Sequence, residues 1–304
     1  MLTWMKRLIC LSLWVSSLMG VGSVYAEYTH EKETNVATIN NVELAYVVAG
    51  DVQAPPILLV MGLTASHKLW HEGFVNALAD AGYRIVMFDN RDTGDSERLG
   101  RLGEPTLWWE MLKNFVGLGI DAPYALDDMA ADAVAVMDEL GIGRAHVVGA
   151  SMGGMIAQIV AAQYPERTAS LVSIMSTTGA AHLPDPEDQA GADLQGLSEA
   201  GEDAYAQLHA MGIFPEAMPR QLLAIMAAGD RSEEVKTISV PTLVQHGALD
   251  TLLPLPHGAH TAELITGSKY VVYEGMGHNM PDEVVPELVA DILEHIALSS
   301  RTAQ

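Results

Sequence analysis

The stretch His146-Val147-Val148-Gly149-Ala150-Ser151-Met152-Gly153-Gly154 decides the fold of this 304-residue chain. It begins as an apolar run, typical of a strand buried on both faces, and continues into a helical pattern. Between the two lies the spacing Gly-x-Ser-x-Gly, which in this context predicts a tight turn with a strained Ser151. Ser151 would then project above the sheet, with the Met152 N–H at a helix N-terminus, where it favours negative charge. The simpler interpretation of Ser151 is a helix N-cap.

Similar apolar runs recur on both sides of this stretch and alternate with helical patterns. Buried strands that alternate with helices predict right-handed βαβ units, a mostly parallel central sheet and helices on both of its faces. Residues 36–48, around Asn40-Asn41, predict an antiparallel hairpin at the N-terminal end of the sheet. The predicted strands are 57–61, 85–88, 146–149, 171–175, 242–245 and 270–273, and the predicted helices are 69–79, 126–140, 152–163 and 283–296.

Two segments interrupt the alternation. Residues 97–123 contain the Trp108-Trp109 pair and several glycines, and residues 179–237 are rich in Ala, Gly, Pro and Met and have no buried-strand run. We interpret 97–123 as an insertion and about 179–237 as a small helical cap over one end of the sheet. The chain from 27 to 304 is thus predicted to be one α/β domain with a cap.

The first 26 residues have the pattern of a secretory signal peptide. Lys6 and Arg7 precede an apolar run from Leu8 to Gly22, and Val24-Tyr25-Ala26 reads as a cleavage site. The run is shorter than the roughly 20 residues of a spanning helix. We therefore expect an exported protein, periplasmic or secreted, with no stable membrane insertion after cleavage. The alternative is an uncleaved N-terminal membrane anchor.

The charge and the cysteine count exclude several classes of site. Sixteen basic and 39 acidic residues give a formal charge of −23, which is the opposite of a nucleic-acid-binding footprint. Cys10 is the only cysteine and lies in the predicted signal peptide, so the mature chain can have neither disulfides nor a thiolate nucleophile.

A nucleophilic serine needs a base and an acid that orients the base. His278 follows the last predicted strand within Gly275-Met276-Gly277-His278, and Asp250 follows the strand before it. A second position for the acid, after the strand that ends near Met175, is occupied by Ser176-Thr177-Thr178 and carries no carboxylate. We therefore predict Ser151, His278 and Asp250 as a catalytic triad.

The oxyanion that forms in such chemistry needs two N–H donors. Met152, directly after Ser151, supplies one. The loop after the first buried strand reads Gly62-Leu63-Thr64-Ala65-Ser66, and we predict the Leu63 N–H as the second donor.

The chain resembles the α/β-hydrolase superfamily over residues 36–298, and within it the branch of aclacinomycin methylesterase-type proteins. Residues 62–66 are called the oxyanion loop below. Many relatives have His directly before the glycine of this loop, and this chain has Met61 there. The stretches that carry the resemblance are Leu58–Gly62, Phe88–Ser96, His146–Gly153, Val240–Val244 and Gly275–His278.

The triad and the resemblance predict a serine hydrolase that cleaves carboxylic esters through an acyl-enzyme, with a small-molecule ester as its partner and no cofactor. The apolar residues of the insertion and the cap suggest that these esters are small or apolar. A lactonase, a C–C bond hydrolase and a cofactor-free haloperoxidase would use the same triad, so these alternatives stay open. A non-catalytic binding protein of this fold is a further alternative, although such proteins usually lose a member of the triad.

Other residues that could carry chemistry are interpreted as structural. Asp89, Arg91 and Asp92 form a charged cluster that we interpret as a turn scaffold. The pairs His67/His71 and His257/His260 have helical ligand spacing but lack a companion carboxylate motif, so no metal site is predicted.

Apolar residues of the insertion and the cap are candidates for substrate contact. Trp108 and Trp109 are interpreted first as buried core of the insertion and second as a wall of the substrate site. The same two interpretations apply to Met211, Met218 and Met226 of the cap.

Overall fold

The computed structural model describes residues 34–187 and 202–302, and in this part eight strands form one twisted sheet. The strand order is β1-β2-β4-β3-β5-β6-β7-β8; β2 pairs antiparallel with β1 and β4, and all other pairs are parallel. The predicted mostly parallel sheet with an N-terminal antiparallel hairpin is confirmed. The strands are β1 Asn35–Ile39, β2 Val42–Ala49, β3 Pro56–Val60, β4 Arg84–Phe88, β5 Ala145–Ala150, β6 Thr168–Ile174, β7 Thr242–Gly247 and β8 Lys269–Tyr273.

The hairpin turns through Asn40 and Asn41, which have φ of 51° and 62°. Asparagine tolerates this left-handed region better than most residues, and two successive positive φ values suit the twist of a two-residue hairpin. The predicted turn therefore forms where the two asparagines stand.

The helices cover both faces of the sheet, as predicted. Buried side chains such as Met129 and Ile156 pack on one face, and Phe74 and Ile292 pack on the other. The helix predicted over 69–79 starts later, because His67–Leu69 forms a separate 3₁₀ turn. The α-helices of the described residues are α1 Glu72–Asp80, α2 Leu107–Phe115, α3 Leu126–Glu139, α4 Met152–Gln163, α5 Glu202–Ala210, α6 Met218–Ala228, α7 Ser232–Val235, α8 Pro256–Leu264 and α9 Val285–Thr302.

The last strand differs from its prediction. The apolar run 270–273 suggested a strand buried on both faces, but β8 lies at the edge of the sheet and only Tyr273 is fully buried. Val272 is 37% exposed. An apolar run predicts a strand. It does not predict how far the strand is buried, because burial depends on whether a neighbouring strand and a helix cover it.

The two interrupting segments contain helices. The α2 helix lies in the predicted insertion, and α5, α6 and α7 lie in the predicted cap. Residues 188–201 of the cap and the predicted signal peptide, 1–26, are outside the described residues, so the boundaries of these segments stay predictions. In the described ranges, no helix combines the length and the apolar character needed to cross a bilayer.

The two tryptophans of α2 are not buried, so their interpretation as core of the insertion is wrong. Trp108 is 66% exposed and Trp109 is 49% exposed. The helix turns other residues inward: Glu110 is buried, and Leu107 packs against the apolar cluster shared by α3 and α4. One face of α2 therefore covers the core, whereas Trp108 and Trp109 lie on the solvent-exposed side of the helix.

Candidate active site

The turn between β5 and α4 holds Ser151 in a strained backbone conformation, with φ of 57° and ψ of −121°. Its N–H donates to the Ile174 carbonyl of the neighbouring strand at 3.0 Å, and the Ser176 hydroxyl donates to the Ser151 carbonyl at 2.8 Å. These two hydrogen bonds attach the turn to the carboxyl end of β6. The side chain is therefore held at the carboxyl edge of the sheet, as the Gly-x-Ser-x-Gly spacing predicts.

The glycines around Ser151 are required by close backbone contacts. A Cβ on Gly149 would lie 2.1 Å from the Gly153 carbonyl oxygen, and a Cβ on Gly153 would lie 2.0 Å from the Val60 carbonyl oxygen. A Cβ on Gly154 would lie 2.5 Å from the Ser176 Cβ. No side chain fits at these distances, so each glycine allows α4 to approach the central strands.

The structure brings the three predicted triad residues together. The His278 Nε2 lies 3.0 Å from the Ser151 Oγ, and the His278 Nδ1 lies 2.8 Å from the Asp250 Oδ2. Nδ1 faces a carboxylate and carries the proton, which leaves Nε2 to accept from the Ser151 hydroxyl. This arrangement can remove a proton from Ser151 and stabilise the imidazolium that results.

Asp250 is buried and held by several hydrogen bonds. Its Oδ1 accepts the N–H groups of Leu252 at 3.0 Å and Leu253 at 2.8 Å, while Oδ2 accepts from His278. Burial alone would raise the pKa of Asp250, but charge and hydrogen bonding from His278, together with His246 and the Leu253 N–H, lower it below its ordinary value. Asp250 therefore remains a carboxylate at neutral pH.

A second imidazole, that of His246, faces the same carboxylate, and this contact was not predicted from the sequence. The His246 Nε2 donates to the Leu253 carbonyl at 2.6 Å and lies 3.5 Å from the Asp250 Oδ2. Burial lowers the pKa of His246, which keeps the ring neutral. Its spacing of four residues from Asp250, across the end of β7, is the signal that could have indicated this contact.

The two predicted oxyanion donors flank Ser151. A Cβ on Gly62 would lie 3.1 Å from the Ser151 Cβ and 3.5 Å from its Oγ, so the loop that carries Leu63 runs directly beside the serine. Met152 begins α4 on the other side. Within the described residues, neither the Leu63 N–H nor the Met152 N–H donates to a protein acceptor. Both are thus available for an oxyanion.

Of the three residues predicted to contact the substrate, the structure places only Met211 beside the oxyanion loop. Trp108 and Trp109 stand edge to face with ring centroids 5.8 Å apart, and no hydrogen bond or ring contact within residues 34–187 and 202–302 joins them to the triad. Met211 is half-buried, and its carbonyl accepts the Ser66 hydroxyl at 2.8 Å. Met211 therefore lies against the oxyanion loop, while the tryptophans line an exposed face of α2.

The charged cluster after β4 is a scaffold of buried ion pairs, as interpreted from the sequence. Arg91 forms a bidentate pair with Asp132 at 2.8 and 2.9 Å. Asp92 receives a bidentate pair from Arg220 of α6 at 2.7 and 2.8 Å. Asp89 is fully buried and accepts hydrogen bonds from the loop before α1. The Arg220 pair ties α6 to the loop after β4, and the other contacts tie this loop to α3 and to the loop after β3.

The histidine pairs of the sequence hydrogen-bond to neighbouring residues. The His257 Nδ1 bonds the Thr177 hydroxyl at 2.8 Å, and the His260 Nδ1 bonds the Thr178 hydroxyl at 2.9 Å. In the part of the chain that the structure describes, no group of three or more His, Cys, Asp or Glu side chains is arranged to hold a metal ion.

Several known proteins are similar to this chain in sequence or in fold. A family model described as the alpha/beta hydrolase fold matches residues 55–201. Rhodomycin D methylesterase DauP of Streptomyces sp. (strain C5) is 29% identical, over 86% of this chain and 97% of its own length. The RutD protein of Caulobacter segnis is 30% identical, over 66% of this chain and 69% of its own length. The enol-lactonase of Burkholderia xenovorans LB400 superposes with a TM-score of 0.67 at 23% identity, covering 86% of this chain and all of that one.

The relatives and the sheet lead to one assignment. The family model describes an alpha/beta hydrolase fold, the sheet of this chain is mostly parallel with helices on both faces, and 30% of the residues aligned with the RutD relative are identical. The chain belongs to the α/β-hydrolase family.

Proposed function

We propose that this α/β-hydrolase cleaves carboxylic esters with Ser151 as its nucleophile. The observation that carries the proposal is the continuous hydrogen-bond chain from the Ser151 hydroxyl through His278 to the buried Asp250 carboxylate. Relatives that are named rhodomycin D methylesterases, at 28–29% identity over almost their full length, support ester chemistry.

The first half of the reaction forms an acyl-enzyme. His278 takes the proton of the Ser151 hydroxyl as Oγ bonds to the ester carbonyl carbon, and the carbonyl π electrons move to the oxygen. The Leu63 and Met152 N–H groups hold this oxyanion. The C–O bond to the alcohol then breaks, and the proton on His278 passes to the departing oxygen.

The second half regenerates the serine. Water gives a proton to His278 and attacks the acyl carbon, the oxyanion forms again, and Ser151 leaves with the proton from His278. Asp250 keeps its charge throughout and stabilises the imidazolium in both halves. One oxyanion donor in such a site lowers the activation barrier by about 3 kcal/mol.

We propose that the substrates are small or apolar uncharged esters. Met211, an apolar residue beside the oxyanion loop, supports this preference, and Trp108 and Trp109 are proposed as outer contacts. The net charge of −23 disfavours anionic substrates. Turnover of p-nitrophenyl butyrate against a p-nitrophenyl ester with a succinyl group tests this preference, and a higher kcat/KM for the anionic ester would contradict it.

We propose that the protein is exported and loses residues 1–26. The charged start, the apolar run and the small residues before Glu27 support this. Mass spectrometry of the protein recovered from the periplasm should find Glu27 as the first residue. A chain that keeps its N-terminus in the membrane fraction would favour the anchored alternative.

The experiment that tests the catalytic proposal is labelling with a fluorophosphonate, followed by intact mass and peptide mapping. The wild type should take up one label per chain at Ser151, because only an activated serine reacts rapidly. Ser151→Ala and His278→Ala should lose both labelling and ester hydrolysis, while Ser232→Ala, on α7, should label like the wild type. Hydrolysis that persists in Ser151→Ala would refute the assignment.

A further inference from the structure

The oxyanion loop contains a residue in a conformation that its side chain disfavours. Thr64, directly after Leu63, has φ of 56° and is buried. A β-branched residue at positive φ is a genuine outlier and persists only where the surroundings determine it. Something other than local preference must therefore hold the Leu63–Thr64 peptide.

Gln221 makes the contact that holds this peptide. Its Oε1 accepts the Thr64 N–H at 2.8 Å, and its Nε2 donates to the Arg91 carbonyl at 2.8 Å. The side chain is fully buried. Gln221 belongs to α6, 157 residues from Thr64, so a helix of the predicted cap bridges the loops after β3 and β4.

The position of α6 does not depend on Gln221 alone. Arg220, the preceding residue, forms the buried bidentate pair with Asp92. The segment before α6 also contacts the same region, because the Gly212 carbonyl accepts the Gly94 N–H at 2.8 Å. Loss of the Gln221 hydrogen bonds should therefore release the Thr64 peptide while the helix stays in place.

We propose that Gln221 is a positioning residue for the oxyanion hole: its hydrogen bond to Thr64 keeps the loop in the conformation that aims the Leu63 N–H at the oxyanion. The inference rests on the proposed function. The amide that Gln221 holds adjoins the donor residue, and the Ala65 N–H closes the same turn on the Gly62 carbonyl at 3.3 Å. Rotation of the held peptide would therefore change the backbone angles of Leu63 and misdirect its N–H.

The test replaces Gln221 with methionine, which has a similar size, no donor and only a weakly accepting sulfur. Gln245→Met is the matched control, because Gln245 is also fully buried and bonds Tyr273 and Leu288, away from the oxyanion loop. Gln221→Glu keeps an acceptor for the Thr64 N–H. For each folded variant we would measure kcat, KM, and the affinities for a phenyl trifluoromethyl ketone, which forms an oxyanion adduct, and for benzyl alcohol, which is uncharged and has no carbonyl group.

We expect Gln221→Met to lose about 10- to 100-fold in kcat with little change in KM, since an oxyanion contact acts mainly in the transition state. The affinity for the ketone should fall in parallel, and the affinity for benzyl alcohol should not. Gln221→Glu should recover part of the loss, and Gln245→Met should keep the wild-type kcat even where its thermal stability falls.

Two results would overturn the inference: a kcat for Gln221→Met equal to that of the control, or a rise in KM with kcat unchanged. Fluorophosphonate labelling of the same preparations separates this outcome from failure of the proposed function. A wild type that does not label at Ser151 overturns both, whereas a labelled wild type with a fully active Gln221→Met overturns only the role of Gln221.

Discussion

Backbone strain at single residues is concentrated at one edge of the sheet. Apart from the two hairpin asparagines, the described non-glycine residues with positive φ are Thr64, Asp92, Ser151 and Met175. Each lies within four residues of the carboxyl end of a parallel strand. Strained residues persist where surrounding contacts over-determine them, and they cluster at functional sites. The distribution of strain thus marks the same edge as the triad.

The charge of Asp250 leads to the first prediction. Asp250→Asn should reduce kcat by about 10³- to 10⁴-fold, because an amide neither stabilises the imidazolium nor selects the tautomer with the proton on Nδ1. Steady-state hydrolysis of a p-nitrophenyl ester measures the loss. A variant that keeps a tenth or more of the wild-type kcat would contradict the role assigned to the Asp250 carboxylate.

The lowered pKa of Asp250 also makes a prediction about stability. A group whose pKa is lower in the folded state stabilises the fold above its unfolded pKa of about 3.9 and loses that contribution as the pH falls through the folded value. The wild type should therefore exceed Asp250→Asn in free energy of unfolding at pH 7, and the difference should shrink below about pH 4. Urea titrations at several pH values test this, and a difference independent of pH would contradict it.

At the scale of elements, the approach of α4 to the central strands depends on glycine. A Cβ at Gly153 would lie 2.0 Å from the Val60 carbonyl oxygen, and that backbone cannot move without disturbing β3. We expect Gly153→Ala to cost about 3 kcal/mol or more in free energy of unfolding, as overpacking against a rigid group does.

Gly143→Ala is the matched control for Gly153→Ala. Gly143 precedes β5 and has open space around the position of a Cβ. The free energy of unfolding of Gly143→Ala should differ from that of the wild type by about 0.5 kcal/mol or less. Thermal unfolding followed by circular dichroism compares the two variants. Equal stabilities would show that the turn after β5 adapts to a side chain.

At the scale of the whole molecule, a buried ion pair connects α6 to the loop after β4. Arg220→Met should cost about 3–5 kcal/mol, because it leaves the Asp92 carboxylate buried without its partner. Arg101→Met, which removes an exposed pair with Glu97, should cost about 1 kcal/mol or less. Urea denaturation gives both values, and similar costs for the two variants would refute the role assigned to the buried pair.

Buried histidines should make the whole chain sensitive to acid. Burial, with smaller effects of His295 and Arg144, lowers the pKa of His146 to about 4. Between the unfolded value of about 6.5 and this folded value the unfolded chain binds more protons, so stability falls as the pH falls. Full titration of this group would cost about 3 kcal/mol.

The variant His146→Gln should flatten the decline in melting temperature between pH 6.5 and 4.5. His209→Gln replaces an exposed histidine and should retain the wild-type slope. An unchanged slope in His146→Gln would show that other groups cause the acid sensitivity.

Local sequence pattern is sufficient for most of the fold and for the positions of the three triad residues. A buried strand is an apolar run because both of its faces are covered, and the serine turn requires glycines because an added Cβ would lie about 2 Å from neighbouring backbone atoms. Asp250 and His278 could be predicted because parallel strands bring their carboxyl ends to one edge. Their distances from Ser151 along the chain therefore do not matter.

Three features depend on packing between distant segments and leave no local pattern. Trp108 and Trp109 look like core residues, and only the direction in which α2 meets its neighbours leaves them exposed. The 270–273 run looks like a central strand, and only the strand order puts it at the edge. The contact between Gln221 and Thr64 joins residues 157 positions apart. Composition and periodicity carry no information about such a pair, because it forms only when the path of the whole chain places a cap helix on the oxyanion loop.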